Sequence, residues 1–153
     1  MKLTFRKAIL DDIPKMQRLF VDTIQERCKK DYSSQQIEVW ASSIKKKDRW
    51  EGLVREQYVV LAEIENKLVG FGSLENGNYV DFMYVHKDHM RKGIAHQIFE
   101  ELTKEAQRLG NAKLASDVSK TARPFFEQKG FKVIHENKNI IKGVEIINYR
   151  MEQ

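Results

Sequence analysis

Between Tyr79 and Ala95 the chain places residues whose types and spacing suit the binding of a phosphate. A β-rich run, Tyr79-Val80-Asp81-Phe82-Met83-Tyr84-Val85, passes through His86–His89 into Met90-Arg91-Lys92-Gly93-Ile94-Ala95 and then an amphipathic segment. A strand that hands its backbone to a helix in this way presents the free N–H groups of the first helical turn. The helix dipole favours an anion at the same place. Arg91 and Lys92 add positive charge, and the small Gly93 and Ala95 on either side of Ile94 permit close approach.

The elements needed to hold this turn can be read around it. Leu3–Ala8 has the character of a first strand, and Asp11 is a candidate N-cap for a helix burying Ile13, Met16, Leu19, Phe20 and Ile24. Ser33 and Gln36 have the spacing of a capping box before Ile37, Trp40, Ala41 and Ile44, with Tyr32 standing just ahead of it. The period then changes. Tyr58–Ile64, Lys67–Leu74 and Tyr79–Val85 are expected to be three antiparallel strands, joined by turns at Glu65-Asn66 and Asn76-Gly77. From Gly93, the positions Ile94, Ile98, Phe99, Leu102, Ala106 and Leu109 predict a helix ended by Gly110. Lys113–Val118, Thr121–Gln128 with its stop at Gly130, and the pair Phe131–His135 and Glu145–Met151 complete a mixed sheet flanked by helices. No linker or repeat divides residues 1–153, so a single domain is expected.

Composition narrows the class. The 153 residues include 41% hydrophobic and 32% charged side chains with 8 Gly and 2 Pro, a balance unlike that of disordered or fibrous chains. No window approaches the roughly 20 apolar residues of a membrane span, and the N-terminus lacks the apolar core of a secretory signal, so a cytoplasmic location is expected. Cys28 is the single cysteine, which excludes an intramolecular disulfide and a cysteine-rich metal site. His86, His89, His96 and His135 are not spaced as a zinc set, so no metal is expected. The net charge of +5 is spread along the chain, and Lys45-Lys46-Lys47 is the one dense run. That run reads as a solvated helix end rather than a nucleic-acid contact.

Two stretches together resemble the GNAT superfamily of N-acetyltransferases: Tyr84–Ala95, which is similar to its acyl-CoA motif, and Ala122-Arg123-Pro124-Phe125-Phe126-Glu127-Gln128-Lys129-Gly130-Phe131, which is similar to its late helix-and-strand signature. The resemblance runs from the first strand through Met151. It implies an α/β (α+β) fold with a mostly antiparallel, twisted sheet, about four flanking helices and one splayed strand pair. Acetyl-CoA is the implied acyl donor. Met83, Tyr84 and Val85 then correspond to the strand that bonds the pantetheine arm, Met90, Arg91, Lys92, Gly93, Ile94 and Ala95 to the pyrophosphate turn, and Ser119 and Phe125 to positions beside the pantetheine.

The implied chemistry is direct attack of a primary amine on the thioester, with a backbone N–H near Met83 or Tyr84 meeting the oxyanion. An alkyl amine has a pKa of about 10 and must lose a proton first. Asp81 is the first candidate to help remove it, because strand alternation groups Tyr79, Asp81, Met83 and Val85 on one face and relatives often supply the base from this strand. Glu63 and Glu75 are weaker candidates. Three residues depart from the family pattern. Met90 stands where Gln or Arg is usual, Arg91 stands where Gly is frequent, and Phe126 stands where many relatives place a Tyr that protonates the leaving sulfur. Tyr32 or Tyr84 can serve as replacement acid, or the thiolate can leave with help from water, since a thiol pKa is about 8.5. The acceptor is a small-molecule or peptide amine, a non-catalytic acyl-CoA-binding module is the alternative, and exposed strand ends leave a homodimer open.

Overall fold

The computed structural model describes residues 2–90 and 92–153. In chain order the elements are β1 (Leu3–Lys7), α1 (Ile13–Arg27), α2 (Ser34–Ala41), α3 (Lys47–Glu56), β2 (Tyr58–Ile64), β3 (Lys67–Glu75), β4 (Tyr79–Val85), α4 (Ile94–Arg108), β5 (Ala115–Ser119), α5 (Arg123–Gln128), β6 (Lys132–Ile141) and β7 (Val144–Glu152). The strands form one sheet in the order β1-β2-β3-β4-β5-β7-β6. Every neighbouring pair is antiparallel except β4 and β5.

Local chemistry explains most boundaries. Glu65 and Asn66 both take positive φ, 52° and 64°, as do Asn76 and Gly77 at 52° and 75°. Left-handed turns of this kind match the right-handed twist of the strands they join. The Ser33–Gln36 box closes in both directions, with Gln36 N donating to Ser33 Oγ at 3.1 Å and Ser33 N donating to Gln36 Oε1 at 2.8 Å. Leu109, expected on the buried stripe of α4, lies just past the helix and is half exposed.

Three expectations need correction. Asp11 does not cap α1. A single 3-10 turn, Leu10–Asp12, precedes the helix, and it is Asp12 whose carboxylate accepts from Ile9 N at 2.8 Å and from Arg6 at 2.7 and 2.9 Å. The lysine run ends the 3-10 turn Ser42–Lys45 that continues α2, but it also enters α3 (its first residue is Lys47), an element the sequence reading lacked. The last hairpin is also longer than expected. It extends to a turn at Lys142-Gly143, where φ is 51° and 77°.

Each face of the sheet has its own core. Ile94, Ile98, Phe99, Leu102 and Ala106 of α4 pack with Val60, Ala62, Val80 and Val118 on one side. On the other, Met16, Leu19, Phe20 and Ile24 of α1 join Trp50, Leu53, Phe71 and Phe82. Helix α4 comes unusually close to β3 because Gly70 and Gly72 lack side chains. A Cβ on Gly72 would lie 2.7 Å from Ile98 Cγ2 and 3.2 Å from Leu102 Cδ1. Gly72→Ala is therefore expected to cost about 1–3 kcal/mol through overpacking, read as a lower urea midpoint with an unchanged slope.

Candidate active site

The site is built on a fork in the sheet. Strands β4 and β5 are in register only at Tyr79↔Ala115 and Val80↔Ser116, where Ser116 Oγ also donates to Val80 O at 2.7 Å. Beyond that pair they separate, because β5 continues along β7 while β4 continues along β3. His86 N donates to Val69 O at 2.8 Å, which by the two-residue period turns the backbone groups of Met83 and Val85 away from β3 and into the fork. Thr23 Oγ1 of α1 donates to Val85 O at 3.1 Å. Met83 N–H and C=O and Val85 N–H have no strand opposite them, so a ligand can take the place of one.

The fork opens into a cleft of about 560 Å³. Met83, Tyr84 and Val85 form one wall, Met90, Gly93, Ile94 and Ala95 the end at the α4 N-terminus, and Ser119 and Phe125 the opposite side. Nine of the residues that sequence reasoning assigned to the acyl donor thus come together. Lys92 is exposed and outside these walls, and Arg91 lies outside the described residues. Gly93 immediately precedes α4 with φ 75°. The Met90 side chain packs against the core, so at this position the chain offers backbone rather than side-chain polarity. Ser119 Oγ accepts from Ala122 N at 3.1 Å and so shapes the turn into α5.

On the other side of the fork lies a pocket of about 380 Å³, and Met83, Tyr84 and Phe126 line both spaces. Here the expected alternation of β4 fails. The register jumps from Gly72↔Met83 to Leu74↔Val80, so Asp81 and Phe82 together oppose Ser73, a bulge in which Phe82 N donates to the fully buried Ser73 Oγ at 3.0 Å. Val80, Met83 and Val85 consequently pack towards α4, whereas Phe82 and Tyr84 face α1 and α3. Asp81 does not share a face with Met83 and Val85.

Asp81 instead bonds to the α3 side of the molecule. Arg49 of α3 donates to both of its oxygens, each at 2.8 Å, and Gln57 Nε2 donates to Oδ2 at 2.7 Å. The Arg49 guanidinium lies 4.8 Å from the centre of the Phe82 ring, and its pKa is raised chiefly by the Asp81 bond. Glu63 is held by Arg6 at 3.0 Å, away from the fork, and Glu75 borders a neighbouring cleft.

Of the hydroxyl candidates, Tyr32 is buried and doubly bonded. Its Oη donates to Ile147 O at 2.6 Å and accepts from Lys120 N at 2.9 Å, and burial pushes the phenol up to about 12. Tyr84 Oη has no hydrogen-bond partner among the described residues, and burial raises its pKa as well. Phe126 is 4% exposed and stands edge-on to Phe131 with centroids 5.0 Å apart. Tyr84 is thus the unengaged hydroxyl on the wall between the two spaces.

Sequence reasoning missed Arg49, whose helix was not foreseen, and Asp117, whose carboxylate accepts from Tyr79 Oη and from Asn137 Nδ2. The i, i+3 pair Trp50 and Leu53 after Asp48 was the available signal for α3. Nothing local marked Asp117, because its importance comes from being one residue past the last β4–β5 pair. Among the described residues no three His, Cys, Asp or Glu side chains are grouped as a metal would need, and no helix is long and apolar enough to cross a membrane.

Comparison with known proteins agrees with this geometry. Residues 28–153 match the family described as "Acetyltransferase (GNAT) domain". The chain is 29% identical over 140 residues to the "Uncharacterized N-acetyltransferase YafP" of Escherichia coli K12, covering 92% of this chain and 88% of that protein. A GCN5-related N-acetyltransferase structure from Rhodopseudomonas palustris superposes with a TM-score of 0.94 at 27% identity, over 100% of this chain and 96% of that one. The PaiA N-acetyltransferase of Thermoplasma acidophilum, solved with coenzyme A, gives 0.81 at 19% identity, over 100% and 99%. A fork between parallel strands, a helix N-terminus at one end of it and a match over most of the chain lead to one conclusion: this protein belongs to the GNAT acetyltransferase family and is an enzyme of acyl transfer.

Proposed function

We propose that this enzyme moves an acetyl group from acetyl-CoA to a primary amine of a small molecule or peptide, in the cytoplasm, by direct attack while both are bound. The observation that carries the reading is the unpaired Met83 backbone, which lies on the wall shared by the 560 Å³ cleft and the 380 Å³ pocket. The donor cleft suits a pantetheine arm that replaces a strand, and the first turn of α4 suits a pyrophosphate. Complexes of related folds with coenzyme A and with acetyl-CoA support the same ligand here.

When bound, acetyl-CoA supplies the thioester. The chain supplies the rest. Met83 and Val85 align the arm through main-chain bonds, Ser119 and Phe125 flank it, and Gly93, Ile94 and Ala95 receive the phosphates with Arg91 and Lys92 adding charge. Met83 N–H faces the fork and is the donor we assign to the oxyanion. Tyr84 Oη is the hydroxyl we assign to the departing sulfur. Tyr32, whose proton is directed at Ile147 O, holds the pocket wall in this reading. Asp81 Oδ1 accepts one hydrogen bond, from Arg49, and keeps a lone pair for the acceptor ammonium or a water.

The test is calorimetric titration of acetyl-CoA beside CoA release with a panel of amines. Amine-dependent release is expected, and Asp81→Asn is expected to lower kcat/KM for the amine about tenfold while leaving acetyl-CoA affinity unchanged. Absence of acetyl-CoA binding would sink the assignment. Binding without release from any amine would instead support the acyl-CoA-binding module.

A further inference from the structure

Tyr79 and Asp117 sit where the fork begins. Tyr79 belongs to the first β4–β5 pair, and Asp117 follows the last one. Tyr79 Oη donates to Asp117 Oδ2 at 2.5 Å, and Asn137 Nδ2 donates to Asp117 Oδ1 at 2.8 Å. A phenol has one proton to give. With that proton fixed on Asp117, the lone pairs of Tyr79 Oη are what it offers to another donor.

These two residues also connect two spaces. Both line the acceptor pocket, and both line a second, polar cleft of about 570 Å³ bordered by Glu75, Asn78 and Arg150. A proton received at Tyr79 can therefore leave without crossing the donor cleft. The charged groups facing the dyad are Arg49 from α3, Glu75 from β3, Asp81 from β4 and Arg150 from β7. The Arg150 guanidinium lies 5.5 Å from the Tyr79 ring centre and 3.9 Å from Asp117 Oδ2, and it is also paired with Glu152 at 3.1 Å. Burial and the Asp117 bond raise the Tyr79 pKa, so the phenol keeps its proton at neutral pH and passes one along rather than acting as a phenolate.

We propose that Tyr79 and Asp117 form the relay that takes the proton from the acceptor ammonium and releases it into the polar cleft. The inference rests on the transferase reading above. In the step, an N–H bond of the ammonium breaks and its proton goes to Tyr79 Oη as the Tyr79 proton passes to Asp117 Oδ2. The freed nitrogen lone pair forms the C–N bond to the acetyl carbon, and the C–S bond breaks with its electron pair leaving on sulfur. Asp117 gives its proton to water. The second nitrogen proton follows by the same route or neutralises the thiolate. Asp81, bonded through both oxygens to Arg49, positions the ammonium, and Asp117, hydrogen-bonded to Tyr79 and Asn137 with the Arg150 guanidinium farther off at 3.9 Å, receives the proton.

The test is the pH profile of kcat and KM for Tyr79→Phe, with Asp117→Asn as second variant and acetyl-CoA affinity measured in each. At pH 7, Tyr79→Phe is expected to lose at least about tenfold in kcat with acetyl-CoA affinity unchanged. The loss should shrink as pH approaches the acceptor's own pKa, and with trifluoroethylamine, which is already neutral at pH 7. An equal loss at every pH and with both kinds of amine would mean a structural role and overturn the relay. So would a variant matching the wild type throughout, and either result leaves the transferase reading standing. A wild-type protein that fails to bind acetyl-CoA removes both.

Discussion

Trp50→Ala is expected to destabilise the protein by about 3–5 kcal/mol, the range for deleting a large buried aromatic side chain. Trp50 is 1% exposed. Its ring stands 5.3 Å from Phe20, 5.2 Å from Phe82 and 6.4 Å from Phe71, and its Nε1 donates to Ser43 O at 3.1 Å. Truncation opens a cavity between α1, α3 and the sheet and leaves the Ser43 carbonyl with one donor, Lys46 N at 3.0 Å. Trp50→Phe keeps much of the packing and is expected to cost roughly 1–3 kcal/mol, part of it the lost bond. Urea unfolding distinguishes the two. Arg49 is the preceding residue, so loosening α3 also loosens the grip on Asp81, and activity should fall before the fold is lost. A Trp50→Ala midpoint equal to that of the wild type would show that α3 is held by other contacts.

Gly93→Val is expected to weaken acetyl-CoA binding by about 100-fold while leaving the melting temperature within a few degrees of the wild type. The backbone at Gly93 has φ 75° and ψ 8°, a left-handed conformation that a β-branched residue adopts only under strain. A Cβ there would meet no described atom within 4 Å, so crowding adds nothing to a backbone cost of about 1–2 kcal/mol. The new side chain stands where a phosphate must approach the first N–H groups of α4. Gly93→Ala should fall between the two. Calorimetry reads the affinity and thermal melting the stability. Unaltered affinity in Gly93→Val would move the phosphates away from this turn.

What could be read from the chain in advance follows a physical division. Signals carried by neighbouring residues were legible: the Ser33–Gln36 box, the Asn76-Gly77 turn, and the buried stripe from Ile94 to Ala106. These depend on local geometry and one-sided burial. Features created by pairing between distant segments were not. The bulge at Asp81 and Phe82 needs Ser73 from the adjacent strand to accept a hydrogen bond, and no glycine marks it. Without that register, a period of two puts Asp81 on the wrong face. Arg49 was hidden because three lysines at a helix entrance oppose the usual charge preference and read as a helix end. The donor cleft was legible because a strand, a turn and a helix N-terminus adjoin in sequence. The pocket beside it gathers side chains from α1, α2, α3, α5 and four strands, and of the residues beyond those it shares with the donor cleft only Asp81 and Tyr32 were anticipated as catalytic.

The two registered pairs that join β4 to β5 also divide the sheet mechanically. Strands β1 to β4 satisfy almost all of their ladder among themselves, as do β5 to β7, and the Ser116 hydroxyl is one of few polar links across the line. Few ladder hydrogen bonds cross this seam, so the join is carried chiefly by side-chain packing, with Leu114, Val118 and Met151 sharing one core with Val80 and the apolar stripe of α4. A molecule lying in the fork touches both sides of the seam, so its binding energy adds to the packing that already holds them together.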